Sequence, residues 1–227
     1  MGSGSIASNK TAFLEFGHVT VVGLFSKLTM DTAVADAMEW FEERELSLTS
    51  DEKLLMLEPA GSHLPRKLEN PFVWRPLFER LGTDAQLLNV VTGLIGRPTR
   101  VLFSQIFFKP PGGSAKPLHQ DGFYFRPRDP SRFVTAWIAL EDATPANGCL
   151  LYAQRSHLGD ILEHTAPRSQ PHHLRVPRGA TARYEVVPEP VPAGGVSFHH
   201  GNMIHGSLPN RSRTRWRRSF VVHFSSE

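Results

Sequence analysis

The sequence predicts a mainly β protein, a two-sheet barrel with N-terminal helices packed on one sheet, and two observations carry that reading. After Arg97 the chain breaks into short runs rich in β-branched and aromatic residues: "RVLFSQIFFKPPG", "LHQDGFYF", "RFVTAWIAL", "CLLYA", "ARYEVV", "GVSFHH" and "RRSFVVHF". Pro, Gly, Asn and Asp turns separate them. Ahead of Arg97, apolar residues instead recur at helical spacing. A helical layer followed by a series of short strands fits two packed sheets with helices against one of them.

Taken in order, the opening "MGSGSIASN" is Gly/Ser-rich and without period, so residues 1–10 read as a flexible leader or tag remnant and 11–227 as a single domain. "HVTVVGLF" (18–25) reads as a strand. From Thr29 to Arg44, Ala33, Ala37, Met38, Trp40 and Phe41 fall at helical spacing, and Thr29 and Asp31 suit a cap. Residues 48–71 show no clean period and read as an extended surface segment, of the kind that contributes a substrate lid. Residues 76–96 predict two helices broken near Gly82 and Thr83, with Thr83 or Asp84 as the cap and Gly96 as the stop.

At 227 residues, 40% hydrophobic and 10% aromatic with 15 Phe, the chain has enough apolar surface for one sizeable core. The formal charge is only +3, and much of the basic excess lies in "RSRTRWRR" (211–218), which argues against a general nucleic-acid binder. The single Cys149 excludes an internal disulfide and fits a reducing compartment. No apolar run approaches the ~20 residues of a membrane span. The expectation is a cytoplasmic protein with neither membrane nor nucleic-acid partners, acting as a monomer or small homo-oligomer.

"HQD" holds the first chemical signal. On a strand, residues i and i+2 share a face, so His119 and Asp121 project together and can reach one ion; alone, the pair equally fits two polar residues facing solvent. "GGVSFHHGNMIHGSLPN" then offers His199, His200 and His205. A distant His would complete a two-His, one-carboxylate face that leaves open positions on Fe(II). Structural zinc sites close all four positions and favour Cys, so iron suits this chain better.

The segments "SQIFFKPPGG", "HQDGFYF", "VTAWIALEDATPANGCL", "FHHGNMIHGSLPNRS" and "RRSFVVHF" together resemble the phytanoyl-CoA dioxygenase (PhyH) family of Fe(II)/2-oxoglutarate-dependent oxygenases over roughly residues 15–225. The resemblance implies a double-stranded β-helix (jelly roll, cupin-like), Fe(II), 2-oxoglutarate as co-substrate and O2. It implies His119, Asp121 and His205 as metal ligands, with His200 the next candidate; one of His199 and His200 would line the cavity or support the site. Related halogenases carry Gly or Ala where Asp121 stands, so the resemblance favours hydroxylation over chlorination.

It also implies Arg217 as the anchor of the far carboxylate of 2-oxoglutarate. Ser219, Val221 and His223 would share its inward face, Arg215 would lie nearer the strand's start, and Arg218 would face away. Ser207 resembles the hydroxyl partner of that carboxylate, and Trp137, facing with Phe133 and Thr135, resembles a pocket wall. Gln105 and Lys109 alternate with Phe107 on the strand before "HQD", where they either reach the same pocket and its co-substrate or sit as edge residues. On the strand reading, Phe123 and Phe125 share the His119 face and shape an apolar substrate cavity, with Tyr124 opposite. Two departures bear on local turns: Gly194-Gly195 stands where the family often has Gly-Asp, and Gln154-Arg155 where it has Pro-Gly.

The expected activity is hydroxylation, or another oxidation, of an unactivated C–H bond of a small molecule, with release of succinate and CO2. The substrate would be an acyl-CoA, an amino-acid derivative or a natural-product intermediate. Two rivals stand beside it. One is a nucleic-acid demethylase of the AlkB type, whose paired arginines Arg211 and Arg217 match in spacing; the other is a non-catalytic binding module on the same barrel. The loops at 48–71 and 158–182 carry no readable substrate code, and the Arg/His-rich "PRSQPHHLRVPRG" reads as a solvated loop.

Overall fold

The computed structural model describes residues 5–58, 63–166 and 173–226. Helix α1 (Ile6–Phe16) is capped by Ser5, whose side chain accepts from the Ser8 N–H, and ends at left-handed Gly17. Ile6–Lys10 of the expected leader is therefore helical, because burial of Phe13 in the core decides what composition alone does not; residues 1–4 lie outside the described residues. Strand β1 (His18–Val21) follows, then α2 (Lys27–Glu45). α2 starts ahead of Thr29 because Ser26 is its cap, its Oγ accepting from the Thr29 N–H at 3.1 Å.

The stretch expected to be extended holds two elements, α3 (Ser50–Met56) and β2 (Lys67–Glu69). Thr49 and Glu52 form a reciprocal capping box that starts α3. β2 pairs with the strand β3 (Arg100–Lys109), so this span is partly sheet edge; residues 59–62 lie outside the described residues. α4 (Pro71–Trp74), α5 (Pro76–Gly82) and α6 (Ala85–Ile95) complete the helical layer, with Asp84 capping α6 and left-handed Gly96 ending it, as the sequence predicts. Among the described residues no helix is long and apolar enough to cross a membrane.

Beyond β3 come β4 (Lys116–His119), the short helix α7 (Asp121–Phe125), β5 (Phe133–Ala139), β6 (Leu150–Ala153) and β7 (Val186–Glu189). β8 (Val196–His200), β9 (His205–Ser207) and β10 (Arg217–Ser225) finish the chain. They form two antiparallel sheets, a larger one in the order β1-β8-β5-β10-β3-β2 and a smaller one in the order β4-β9-β6-β7. This is the jelly roll the resemblance implies.

Strand alternation divides the larger sheet into two faces. Val134, Ala136 and Ile138 of β5, and Phe220, Val222 and Phe224 of β10, pack with Met30, Phe41, Phe78 and Leu87 of the helices in the main core. Phe133, Thr135 and Trp137, with Arg217, Ser219, Val221 and His223, take the opposite face. Both faces are covered, so β5 and β10 are buried throughout. At Arg155, where the family's glycine would stand, the backbone is left-handed (φ 65°). There the Arg155 N–H bonds the Phe16 carbonyl and its guanidinium pairs with Glu15 at 2.7 Å, which compensates a conformation that glycine adopts freely.

The Phe220 ring is fully buried and meets Phe78 edge-on at 4.9 Å, joining β10 to α5. Phe220→Ala is expected to cost about 3–5 kcal/mol in denaturant unfolding; a loss under about 1 kcal/mol would show that the helical layer is not held there.

Candidate metal centre and co-substrate pocket

His119 ends β4 and lies opposite His205 of β9 in register. Asp121 is not on that strand: it is the first residue of α7, so the two-residue strand spacing does not explain the pairing. Gln120, fully buried between them, makes the turn. Its backbone N–H donates to His164 Nε2, its amide donates to the Asp160 and Asn202 carbonyls, and its Oε1 accepts from the Leu162 N–H. The result brings one ligand atom from each of His119, Asp121 and His205 within 4.8 Å of one another, all three residues buried. Asp121 Oδ1 is 3.7 Å from His119 Nε2 and 3.8 Å from His205 Nε2.

The second nitrogen of each imidazole is already committed. His119 Nδ1 donates to the Pro117 carbonyl at 2.8 Å, and His205 Nδ1 to the Met203 carbonyl at 3.0 Å. Each ring is thereby set with an Nε2 lone pair facing the carboxylate. Burial, with His205 and Lys116 nearby, holds His119 well below its usual pKa, which keeps it neutral. Burial works against an ionised Asp121, but His205, the His199 hydrogen bond and His223 more than offset it, and the carboxyl stays well below its usual range. Two imidazoles and a carboxylate on one face fit Fe(II) with open positions remaining.

Asp121 Oδ2 rests on a row of side chains crossing three strands. His199 of β8 lies opposite Thr135 of β5, and Thr135 opposite His223 of β10. Thr135 Oγ1 donates to Oδ2 at 2.7 Å, His199 Nε2 donates at 3.1 Å, and His223 Nδ1 is 3.0 Å from the Thr135 hydroxyl. With Nε2 carrying the proton, His199 Nδ1 accepts from the Tyr152 hydroxyl at 3.0 Å, and that hydroxyl accepts from Ser197 at 2.9 Å. Thr135, read from the sequence as facing with Trp137 and as a co-substrate residue, lines the cavity and bonds Asp121, and His199, rather than His200, supports the site.

A cavity of 380 Å³ opens at this face, walled by the three ligands together with Arg217, Ser207, Trp137, Gln105, Lys109, Thr135 and Phe125. At one end Arg217 is buried, its Nε donating to the Gly148 carbonyl at 3.2 Å and its Nη1 to Ser219 at 3.0 Å, with the guanidinium 5.4 Å from the Trp137 ring centre. Lys109 Nζ donates to Ser207 Oγ at 2.7 Å and to the Leu208 carbonyl. Burial lowers Arg217 to about 10, and burial with the neighbouring Arg217 charge lowers Lys109 to about 6. Neither Arg217 nor Lys109 has a carboxylate partner among the described residues, so this end is built for an incoming anion, which would also draw Lys109 into its charged form.

Two expected pocket residues do not reach the cavity wall. Phe123 stacks on His164 at 4.3 Å, because residues 121–125 turn as a helix and strand alternation fails; Tyr124, expected to face away, lines the cavity instead. His200 faces Phe13 and His157, and its Nδ1 accepts from the Asn202 N–H. Arg218 faces away from Arg217 and pairs with Glu141 at 2.7 Å, as alternation predicts. Arg211 and Arg215 are exposed. Of the Arg/His-rich loop, residues 167–172 lie outside the described residues, while His173 lines the cavity and is not simply solvated.

The sequence model for phytanoyl-CoA dioxygenase (PhyH) matches residues 16–219. A probable alpha-ketoglutarate-dependent hypophosphite dioxygenase of Stutzerimonas stutzeri is 24% identical over 97% of this chain and 78% of its own length. Human peroxisomal phytanoyl-CoA dioxygenase is 30% identical over 65% of this chain and 45% of its own. The chain spans about half the length of the phytanoyl-CoA dioxygenases it matches. Among solved structures, the epimerase SnoN in complex with Fe3+, alpha ketoglutarate and nogalamycin RO superposes with a TM-score of 0.77 at 20% identity, covering 97% of this chain and 83% of SnoN. EctD from S. alaskensis with bound Fe gives 0.77 at 21% identity, covering 96% and 76%. The structural likenesses establish the shared fold, and with the family match the chain belongs to the phytanoyl-CoA dioxygenase family of iron- and 2-oxoglutarate-dependent oxygenases.

Proposed function

We propose that the protein hydroxylates an unactivated C–H bond of a small molecule. One observation carries the reading: a buried two-His, one-carboxylate face shares a cavity with a pair of cations that lack carboxylate partners among the described residues. Iron held by His119, Asp121 and His205, with 2-oxoglutarate and dioxygen, supplies oxidising chemistry in which the co-substrate leaves as succinate and CO2 and one oxygen atom enters the substrate.

The chain's own residues orient and shield that chemistry. Arg217 receives the far carboxylate of 2-oxoglutarate, its guanidinium already fixed by Gly148, Ser219 and the Trp137 face. Lys109 and Ser207 stand beside it as further donors. Trp137 and Val221 close this end against water, which strengthens each charge contact. Phe103, Tyr124 and Phe125 line the cavity with aromatic surface suited to carbon. Asp121 occupies the position that chlorination would leave to a halide, which supports hydroxylation. The exposed Arg211 lies off the cavity, which weighs against a paired-arginine demethylase site.

Succinate release measured with Fe(II) and 2-oxoglutarate tests the reading. His119→Ala and Asp121→Ala should abolish it, and Arg217→Ala should raise the 2-oxoglutarate KM by about 10–100-fold, the worth of a charge-assisted contact. Full turnover in both ligand variants, or an unchanged KM, would remove those assignments.

The row behind Asp121 gives a separate expectation. His199→Leu and Thr135→Val should each weaken Fe(II) binding by about 10–100-fold while far-UV circular dichroism stays native. Unaltered metal affinity would mean that Asp121 is oriented by the backbone alone.

A further inference from the structure

Basic side chains line the cavity beyond the Lys109–Arg217 anchor as well. Lys109 and Arg217 influence each other at the anchor. A second group, Lys116 at the start of β4 with Arg66 and Lys67 at β2, lines the same cavity, and here too the charges act on one another. Lys67 is compensated by Glu69 at 2.7 Å. Among the described residues Arg66 is held by neutral acceptors, the Leu54 and Leu55 carbonyls and His173 Nε2 at 3.0 Å. Lys116 Nζ makes no hydrogen bond or ion pair among the described residues.

Cations drawn out of water without a paired anion are costly, and burial together with Lys67 and Arg66 lowers the Lys116 ammonium to about 8. Glu58 offsets Arg66 in part, but burial pushes its own carboxyl upward. Lys116 also lies close enough to the metal face for its charge to act on His119 and Asp121. A ligand group held there would sit beside the reacting centre.

We infer that Lys116 and Arg66 form a substrate subsite for one anionic group, a carboxylate or a phosphorus oxyanion, separate from the Lys109–Arg217 anchor. The inference rests on the oxygenase reading above and gives it a substrate class: a small acid whose charged head is fixed by Lys116 and Arg66 while its remaining atoms lie against Tyr124 and Phe125. The cavity of 380 Å³, shared with the co-substrate, suits a small molecule.

Calorimetry on the anaerobic Fe(II) and 2-oxoglutarate complex tests it, with propionate, methylphosphonate and hypophosphite as probes and propionamide as the uncharged control. At least one anion should bind saturably and propionamide should not. Lys116→Gln should weaken that anion by about tenfold or more, Lys116→Arg should recover most of the loss, and 2-oxoglutarate affinity should not move. The arm that binds separates the carboxylate from the phosphorus oxyanion. Absence of binding by all three anions, with 2-oxoglutarate still bound, overturns the subsite and leaves the oxygenase reading standing. An equal loss of 2-oxoglutarate affinity in Lys116→Gln assigns Lys116 to the co-substrate and overturns it as well. Failure of the wild-type protein to bind 2-oxoglutarate overturns the oxygenase reading and the subsite with it.

Discussion

The ionised carboxylate of Asp121 is the group on which the rest of the site depends. A buried carboxylate costs several kcal/mol unless it is paired and hydrogen-bonded. Here one oxygen accepts from Thr135 and His199, and the other faces the two ligand imidazoles. These donors come from adjacent strands of one sheet, so their convergence is a consequence of register. A one-residue slip of β5 against β8 or β10 would turn Thr135 toward the helices and replace its hydroxyl with an apolar neighbour. The helical layer that buries Phe220 and Ile138 on the outer face therefore fixes the metal site on the inner face.

Charge within the cavity follows from the same architecture. β10 places Arg217 at one end, and β4 carries Lys116 toward the metal face on the opposing sheet. Among the described residues Asp121 is the carboxylate beside the ligand histidines. Two basic groups in one cavity with a metal-binding face can hold two different anions in fixed relation, and position is most of what such an enzyme must contribute. Lys109 is committed to Ser207 and Leu208, whereas Lys116, opposite Ser207 in the β4–β9 register, stands beside Arg66 and Lys67.

Much of this was legible in the sequence where a residue's role follows from strand alternation. Arg217, Ser219, Val221 and His223 share the inner face of β10 as their spacing predicts, and Arg218 faces out. His205 was legible only through the family resemblance, since the residues alone left His199, His200 and His205 open; its place opposite His119 comes from the β4–β9 register. The row behind Asp121 was not legible, since His199, Thr135 and His223 are joined only by sheet register. Asp121 and Phe123 were misplaced for a related reason: five residues of aromatic, β-prone sequence form a helix, held by the Gly122 N–H to the Gly201 carbonyl and by Gln120. The start of α3 did carry a signal, the Thr49 to Glu52 capping box, which the aperiodic sequence around it obscured.

The central claim is that the face of His119, Asp121 and His205 and the anchor at Arg217 are filled together, by iron and by one molecule of 2-oxoglutarate. Anaerobic addition of Fe(II) and then 2-oxoglutarate, followed by visible absorption, tests this most directly. The account predicts a weak metal-to-ligand charge-transfer band that grows to saturation at one 2-oxoglutarate per chain. Iron that binds with no such band at any 2-oxoglutarate concentration would contradict it.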